Sequence, residues 1–187
     1  MRHADGNVPA AQIRHDMQQV MQRHAAVFRS SGSLTEGVAN MDNVASQMGQ
    51  IGVKDKSLIW NTDLIEAMEL ENLVGQALVT IRSADQRAES RGAHAHEDWP
   101  KRDDENWMKH TVMWLDEQNR STVGYRSVAM NTLSNDVAPI PPAPRVYSRG
   151  VAQKGARVSW LNSHFRRSRS SPPDTVIKPP KGRLMFV

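Results

Sequence analysis

Between Asp63 and Arg87 the chain sets Leu64, Met68, Leu73, Val74, Ala77, Leu78 and Ile81 at helical spacing over more than one face. A helix apolar along one stripe can lie on a surface, but one apolar on several sides must be surrounded. At ~1.5 Å per residue such a helix would run roughly 38 Å, which makes it the central element of whatever this chain builds. Asp63 with Glu66 suits its N-terminal cap. Two flanking helices are predicted upstream. The first starts at Pro9, where a missing N–H costs nothing, and carries the stripe Ile13, Met17, Val20, Met21, His24 and Phe28. It ends among Arg29 to Gly32. Ser33 then opens the second, with Glu36 completing a capping box and Leu34, Val38, Met41, Val44, Met48 and Ile51 as the buried face. Three such stripes bury themselves against one another, so a three-helix bundle is the economical arrangement.

Past residue 107 the period changes from helical to alternating. Met108, His110, Val112 and Trp114 alternate with Lys109, Thr111 and Met113, the pattern of a half-exposed strand. Asp116 to Arg120 is turn chemistry, and Thr122 to Val128 is a weaker return strand. A lone hairpin is marginal in water, so this one is expected to pack on the bundle or on a partner. Pro139, Pro141, Pro142 and Pro144 end regular structure. The expected fold is therefore mainly α: a three-helix bundle followed by a small antiparallel β-hairpin and a disordered basic tail. The expected divisions are residues 1–106, 107–147 and 148–187. With aromatics at 5% and hydrophobics at 39%, the core is aliphatic and rich in methionine.

The net charge of +4 conceals two opposite halves. Residues 1–144 hold 14 basic and 19 acidic groups, whereas the remainder holds 10 basic groups and the single acid Asp174. Basicity belongs to the tail, so a nucleic-acid role argued from global charge would use the wrong half of the molecule. The chain has no cysteine, which removes disulfides, thiol nucleophiles and thiolate metal sites. No apolar run is long enough to span a bilayer, and the polar start Met1-Arg2-His3-Ala4-Asp5 is not a secretory signal.

Chemistry-bearing residues crowd into Ala88–Thr111, AESRGAHAHEDWPKRDDENWMKHT. Charges this dense call for partners or solvent. His94-Ala95-His96-Glu97-Asp98 has the outline of an H-x-H-x-D metal site, yet Glu89, Arg91 and Arg102 flank it as ion-pair partners, so the expectation is no metal. His94 and His110 could titrate near neutrality, although structural hydrogen bonding is the simpler role. Trp60, Trp107 and Trp114 read as packing residues. Glu66, Glu69 and Glu71 read as a solvated face, or as a surface suited to a basic patch on a partner. No catalytic constellation stands out, and no Gly-x-Gly-x-x-Gly lies between a strand and a helix; Gly49 and Gly52 are the nearest approach, at a helix end.

The order of residues in that segment carries a resemblance. Glu89-Ser90-Arg91-Gly92-Ala93-His94, then Asp98, Pro100, Arg102-Asp103-Asp104-Glu105-Asn106-Trp107 and Lys109-His110-Thr111, closely resembles the C-terminal region of the succinate dehydrogenase and fumarate reductase flavoprotein subunits. The Arg-Asp-Asp-Glu-Asn-Trp part is most similar to succinate dehydrogenase. Upstream, Ile13-Arg14 through Arg29 and Ser57-Leu58-Ile59-Trp60-Asn61-Thr62-Asp63 through Leu73 resemble that subunit's helical domain. Downstream, Tyr125-Arg126 and Pro144-Arg145-Val146-Tyr147 resemble its closing segments. His96 stands where the family usually has arginine, and Ser127 where proline usually follows Tyr-Arg.

The resemblance implies a detached C-terminal domain. In the family, FAD and the substrate-binding residues belong to an N-terminal dinucleotide fold and a mobile capping domain. This chain is thus expected to bind no cofactor and to lack activity alone. In the intact family enzyme, FAD accepts hydride as succinate becomes fumarate. Implied partners are those flavin and capping domains, with an iron–sulfur subunit as a further candidate and nucleic acid not expected. Implied location is the cytoplasm, or the inner face of the membrane within a complex. Arg91, His94, Asp98, Arg102, Asp103, Asp104, Trp107 and His110 are the expected docking residues. The tail beyond Tyr147, with Trp160 and Phe165 among arginines and serines, lies outside the resemblance. A frameshift is the expected origin of that tail, and binding of single-stranded nucleic acid through it is the rival reading.

Overall fold

A computed structural model describes residues 1–134 and 136–143, together with the backbone of 183–186. The chain opens with a two-residue strand β1 (Val8–Pro9) that leads directly into helix α1 (Ala10–His24). Strand β2 (Phe28–Arg29) precedes α2 (Ser31–Gln47), and a short 3-10 turn then leads to β3 (Ile51–Gly52). The long helix α3 (Thr62–Gln86) follows. After it come β4 (Ala95–His96), the single-turn helix α4 (Asp104–Trp107) and the hairpin β5 (Lys109–Leu115) and β6 (Ser121–Ser127). The last strand, β7 (Arg183–Phe186), lies at the C-terminus.

The three helices form the bundle. Ile13 and Met17 of α1, Leu34, Met41 and Val44 of α2, and Leu70, Val74, Leu78 and Ile81 of α3 share one core. The central helix is covered by α1 and α2 on one side and by β5 on another, which is why its apolar residues circle it. Gly37 makes the three-way closure feasible: a Cβ there would sit 2.4 Å from Cβ of His24 and 2.7 Å from Cδ1 of Ile81. His24, buried at that crossing, reaches Ser33 Oγ and the side-chain amide of Asn40, each at 3.4 Å.

Helix ends differ from the sequence expectation by a few residues. The first helix stops at His24, and Phe28 leaves the stripe to become an exposed residue of β2, because Phe28 and Arg29 pair in parallel with Ala95 and His96. The cap of α2 is Ser30, whose Oγ accepts the Ser33 N–H, so the capping box at Ser33 and Glu36 is not formed. At α3 the cap is Asn61, whose Oδ1 accepts from the Leu64 N–H at 2.8 Å. Asp63 instead accepts the backbone N–H groups of Lys54 and Asp55. In each case a neighbouring small polar residue supplies the same cap chemistry in better position.

The hairpin pairs Lys109 with Ser127 through Leu115 with Ser121 in antiparallel register, and its turn places Asn119 at φ 59°. Its first strand is not half-exposed as the alternation suggests. Thr111 to Leu115 are all buried, since Met113 and Leu115 join the bundle core and the strand is flanked on both edges. The Ser83 hydroxyl donates to Met113 Sδ at 3.8 Å, stitching α3 to β5. The second edge of β5 is taken by β7, with Val112 opposite Phe186 and Leu115 opposite Arg183. That third strand had no signal in the alternation, for it lies nearly 70 residues further along. The segment Pro144–Tyr147, the Arg/Ser-rich stretch, Trp160 and Phe165 lie outside the described residues, and with them the expectations of disorder, frameshift and nucleic-acid contact.

Candidate functional site

Glu89 is the hub of the segment after α3. Its side chain is fully buried, at 0% exposure, and takes five hydrogen bonds. Arg87 donates Nε at 2.9 Å and Nη2 at 2.5 Å to Oε1. Arg91 donates Nε to Oε1 at 2.7 Å and Nη2 to Oε2 at 3.0 Å, and the Asp103 N–H donates to Oε2 at 2.9 Å. Burial by itself would raise the Glu89 carboxyl, but the bonds from Arg91, Asp103 N–H and Arg87 outweigh it and hold the group below the usual carboxylate range. A buried carboxylate between two guanidiniums satisfies the rule that interior charges come paired.

The network extends outward from this hub. Arg91 also donates to Asp104 at 2.6 Å, and Arg102 meets the other Asp104 oxygen at 2.7 Å. Asp103 caps α4 by accepting the N–H groups of Glu105 and Asn106. On the far side Arg87 donates to the carbonyls of Trp107 at 2.7 Å and Lys109 at 3.1 Å and to the Thr111 hydroxyl at 3.1 Å. One guanidinium therefore ties the end of α3 to the start of the hairpin. Trp107 stands edge-on to Tyr125 with centroids 6.1 Å apart, and Lys109 Nζ sits 4.9 Å from the first ring and 4.2 Å from the second.

His94 lies on another face of the same loop. Gly92 turns the chain at φ 60°, and Arg91 and His94 exchange two backbone hydrogen bonds. Arg29 Nη1 donates to His94 Nδ1 at 2.8 Å, and a guanidinium has no acceptor to offer. Nδ1 is thereby the acceptor, the proton resides on Nε2, and Nε2 donates to the Arg87 carbonyl at 3.2 Å. Burial pushes the imidazole below its ordinary value, and the facing Arg29 adds to the shift against the Arg87 carbonyl bond that opposes it. Asp98 is spent on the Ser31 N–H at the start of α2, at 2.8 Å. His96 is buried with its Nδ1 unpartnered, and the two imidazoles sit edge-on, 5.8 Å apart. Arg29 thus stands where an H-x-H-x-D metal ion would approach His94. No three metal-ligating side chains converge among the described residues.

The structure accordingly gathers Arg91, Arg102, Asp103, Asp104 and Trp107 around Glu89, puts His94 and Asp98 on the seam with β2 and α2, and leaves His110 exposed on β5. Arg87 and Arg29 had not been singled out from sequence. Arg87 follows α3 and Arg29 lies in β2, and each has a partner distant in sequence, the Trp107 carbonyl for Arg87 and His94 for Arg29. Trp114 is buried as expected, but Trp60 is 93% exposed. Beside the loop, Val27, Phe28 and Trp99 are exposed as well, and a shallow groove of about 420 Å³ runs between Ala88, Trp99, Arg102 and Trp107.

Among the described residues no glycine-rich turn joins a strand to a helix, the arrangement that dinucleotides use. The leading N–H groups of α2 and α3 are taken by Asp98, Ser30 and Asn61; α1 has no side-chain cap, but β1 before it is two residues long and ends in Pro9.

A small helical bundle closed by an arginine–glutamate knot thus leaves several apolar residues in the open. Residues 14–147 match the family model described as fumarate reductase flavoprotein C-term, and the chain belongs to that family. It is 50% identical over 147 residues to the succinate dehydrogenase flavoprotein subunit of Rickettsia conorii, covering 79% of this chain and 25% of that protein. It is 34% identical over 148 residues to the fumarate reductase flavoprotein subunit of Mycobacterium tuberculosis, covering 79% and 24%. A solved chain of Escherichia coli quinol fumarate reductase superposes with a TM-score of 0.68 at 29% identity, over 78% of this chain and 24% of that one. The chain therefore spans about a quarter of the length of these relatives. Among the described residues no helix is long and apolar enough to cross a membrane.

Proposed function

We propose that this chain serves as the helical C-terminal domain of a succinate dehydrogenase-type flavoprotein, bracing an FAD-bearing part while succinate is oxidised to fumarate, and that it has no such activity alone. The observation that carries this reading is 50% identity over 147 residues to a protein of which the match covers 25%. FAD, held elsewhere, supplies the hydride acceptor. The role of these residues is mechanical. The Glu89 knot fixes the loop from Ser90 to Trp107, and Arg91, His94, Asp98, Arg102, Asp103, Asp104, Trp107 and His110, in and beside that loop, hold it in the shape that docks against the flavin and capping domains. The assembled flavoprotein would hand electrons to an iron–sulfur subunit and sit peripherally at a membrane.

The test is complementation. The R. conorii flavoprotein lacking its C-terminal quarter is produced with and without this chain. FAD retention and succinate-dependent dye reduction are expected to rise when the chain is present. No rise, in an assay where the protein's own missing quarter restores both, contradicts the proposal.

A further inference from the structure

The exposed apolar residues at the other end of α3 have no role in the loop face just described. Leu58, Ile59 and Trp60 precede the helix, and Ile65 and Met68 follow one turn apart on its first two turns, all five exposed. From Met68, the last of the five, to the end of α3 at Gln86 the helix runs roughly 27 Å at ~1.5 Å per residue, so this seam and the Glu89 knot are distinct surfaces.

The seam is built, not loose. Asn61, itself buried, donates its side-chain amide to the carbonyls of Asp55 at 2.7 Å and Ser57 at 2.8 Å, while its oxygen caps α3. Asp63 clamps the N–H groups of Lys54 and Asp55, and Asp55 receives the Ser57 N–H. On this framework Trp60 adopts φ 53°, a left-handed backbone that bulky residues rarely take. Trp60 and Ile65 occupy the two positions that usually pack together as a hydrophobic staple at a helix start. Here Trp60 is 93% exposed and the staple is open. A strained backbone that turns an indole away from its natural contact gains nothing inside this chain. The reward has to come from outside it.

Charge selects the occupant. Residues 54 to 71 carry two lysines against five acids. That rim repels an anionic bilayer, and in a two-fold pairing of identical seams it would face itself. The seam also lies inside the matched span 14–147, shared with relatives that are about four times longer. Resting on the function proposed above, we infer that Leu58, Ile59, Trp60, Ile65 and Met68 form a second docking seam for the FAD-bearing part of the flavoprotein, entering an apolar depression on it rimmed by lysine or arginine.

The experiment immobilises the full 187-residue chain and captures the R. conorii flavoprotein lacking its C-terminal quarter, at graded concentrations. The double variant Ile59→Ser, Trp60→Ser is run beside the wild type, with circular dichroism and thermal midpoint as fold controls. Both side chains are exposed, so the fold controls should not change. Capture at least about tenfold weaker in the double variant supports the seam, as truncation of a buried tryptophan anchor does at interfaces. Equal capture of both overturns it while leaving the proposed function standing. Absence of capture by the wild type overturns both. A wild-type dimer that the double variant dissolves overturns the assignment in favour of a second copy.

Discussion

Glu89 concentrates the electrostatic stakes of the molecule at one residue. Its carboxylate neutralises Arg87 and Arg91, which are themselves largely shielded, so removing its charge takes the carboxylate from Arg87 and leaves Arg91 with Asp104 alone. Glu89→Gln is expected to lower unfolding free energy by about 3 kcal/mol, the range found when one partner of a buried pair is lost; urea unfolding measures it, and a loss below about 1 kcal/mol would mean the knot is replaceable by water. His94 gives a pH signature of known sign. Its folded pKa lies below the usual value, so the folded state favours the neutral ring. Its contribution is full above about pH 6.5, begins to fall as pH descends through that ordinary value, and is lost at the lowered folded one. Thermal midpoints taken from pH 7.5 downward should show this first decline in the wild type, and His94→Leu should lack it. The Ser-Arg-Gly-x-His segment stood out in the sequence through its resemblance to the family. The roles of Arg29 and Arg87 did not, since nothing in the local sequence says which distant carbonyl or ring an arginine will meet.

At the scale of elements, periodicity revealed what was long. Helices of 15, 17 and 25 residues repeat their apolar positions often enough to be read, and so does the seven-residue first strand of the hairpin. Strands of two residues carry no period, so β1 to β4 were invisible, and with them the reason α1 ends at His24. Caps slipped because Ser30, Ser33, Asn61 and Asp63 offer the same chemistry within one turn of each other. Ser30→Ala is therefore expected to cost about 1 kcal/mol, whereas Glu36→Ala, at an exposed position with no capping bond, should stay within about 0.5 kcal/mol. Gly37→Ala opposes two effects. Alanine favours a helix by about 1 kcal/mol, yet its Cβ would meet His24 at 2.4 Å and Ile81 at 2.7 Å. Overpacking of that severity wins, and net destabilisation of about 1–3 kcal/mol is expected in urea unfolding; a stabilised variant would mean the helices can part there freely.

At the largest scale, residues 1–144 are an acidic part of a chain of net charge +4, with a bundle core of their own and with apolar residues left open near both ends of the longest helix. Sequence indicated the bundle and the family resemblance. It read Trp60 as a packing residue, whereas the structure leaves that side chain exposed on a left-handed turn before α3. The most direct trial of the central claim uses the purified full chain alone, mixed with FAD, passed through size exclusion and assayed with succinate and an electron-accepting dye. The account predicts that FAD elutes free and the dye stays oxidised. Stoichiometric FAD carried with the chain, together with succinate-dependent reduction, would contradict it.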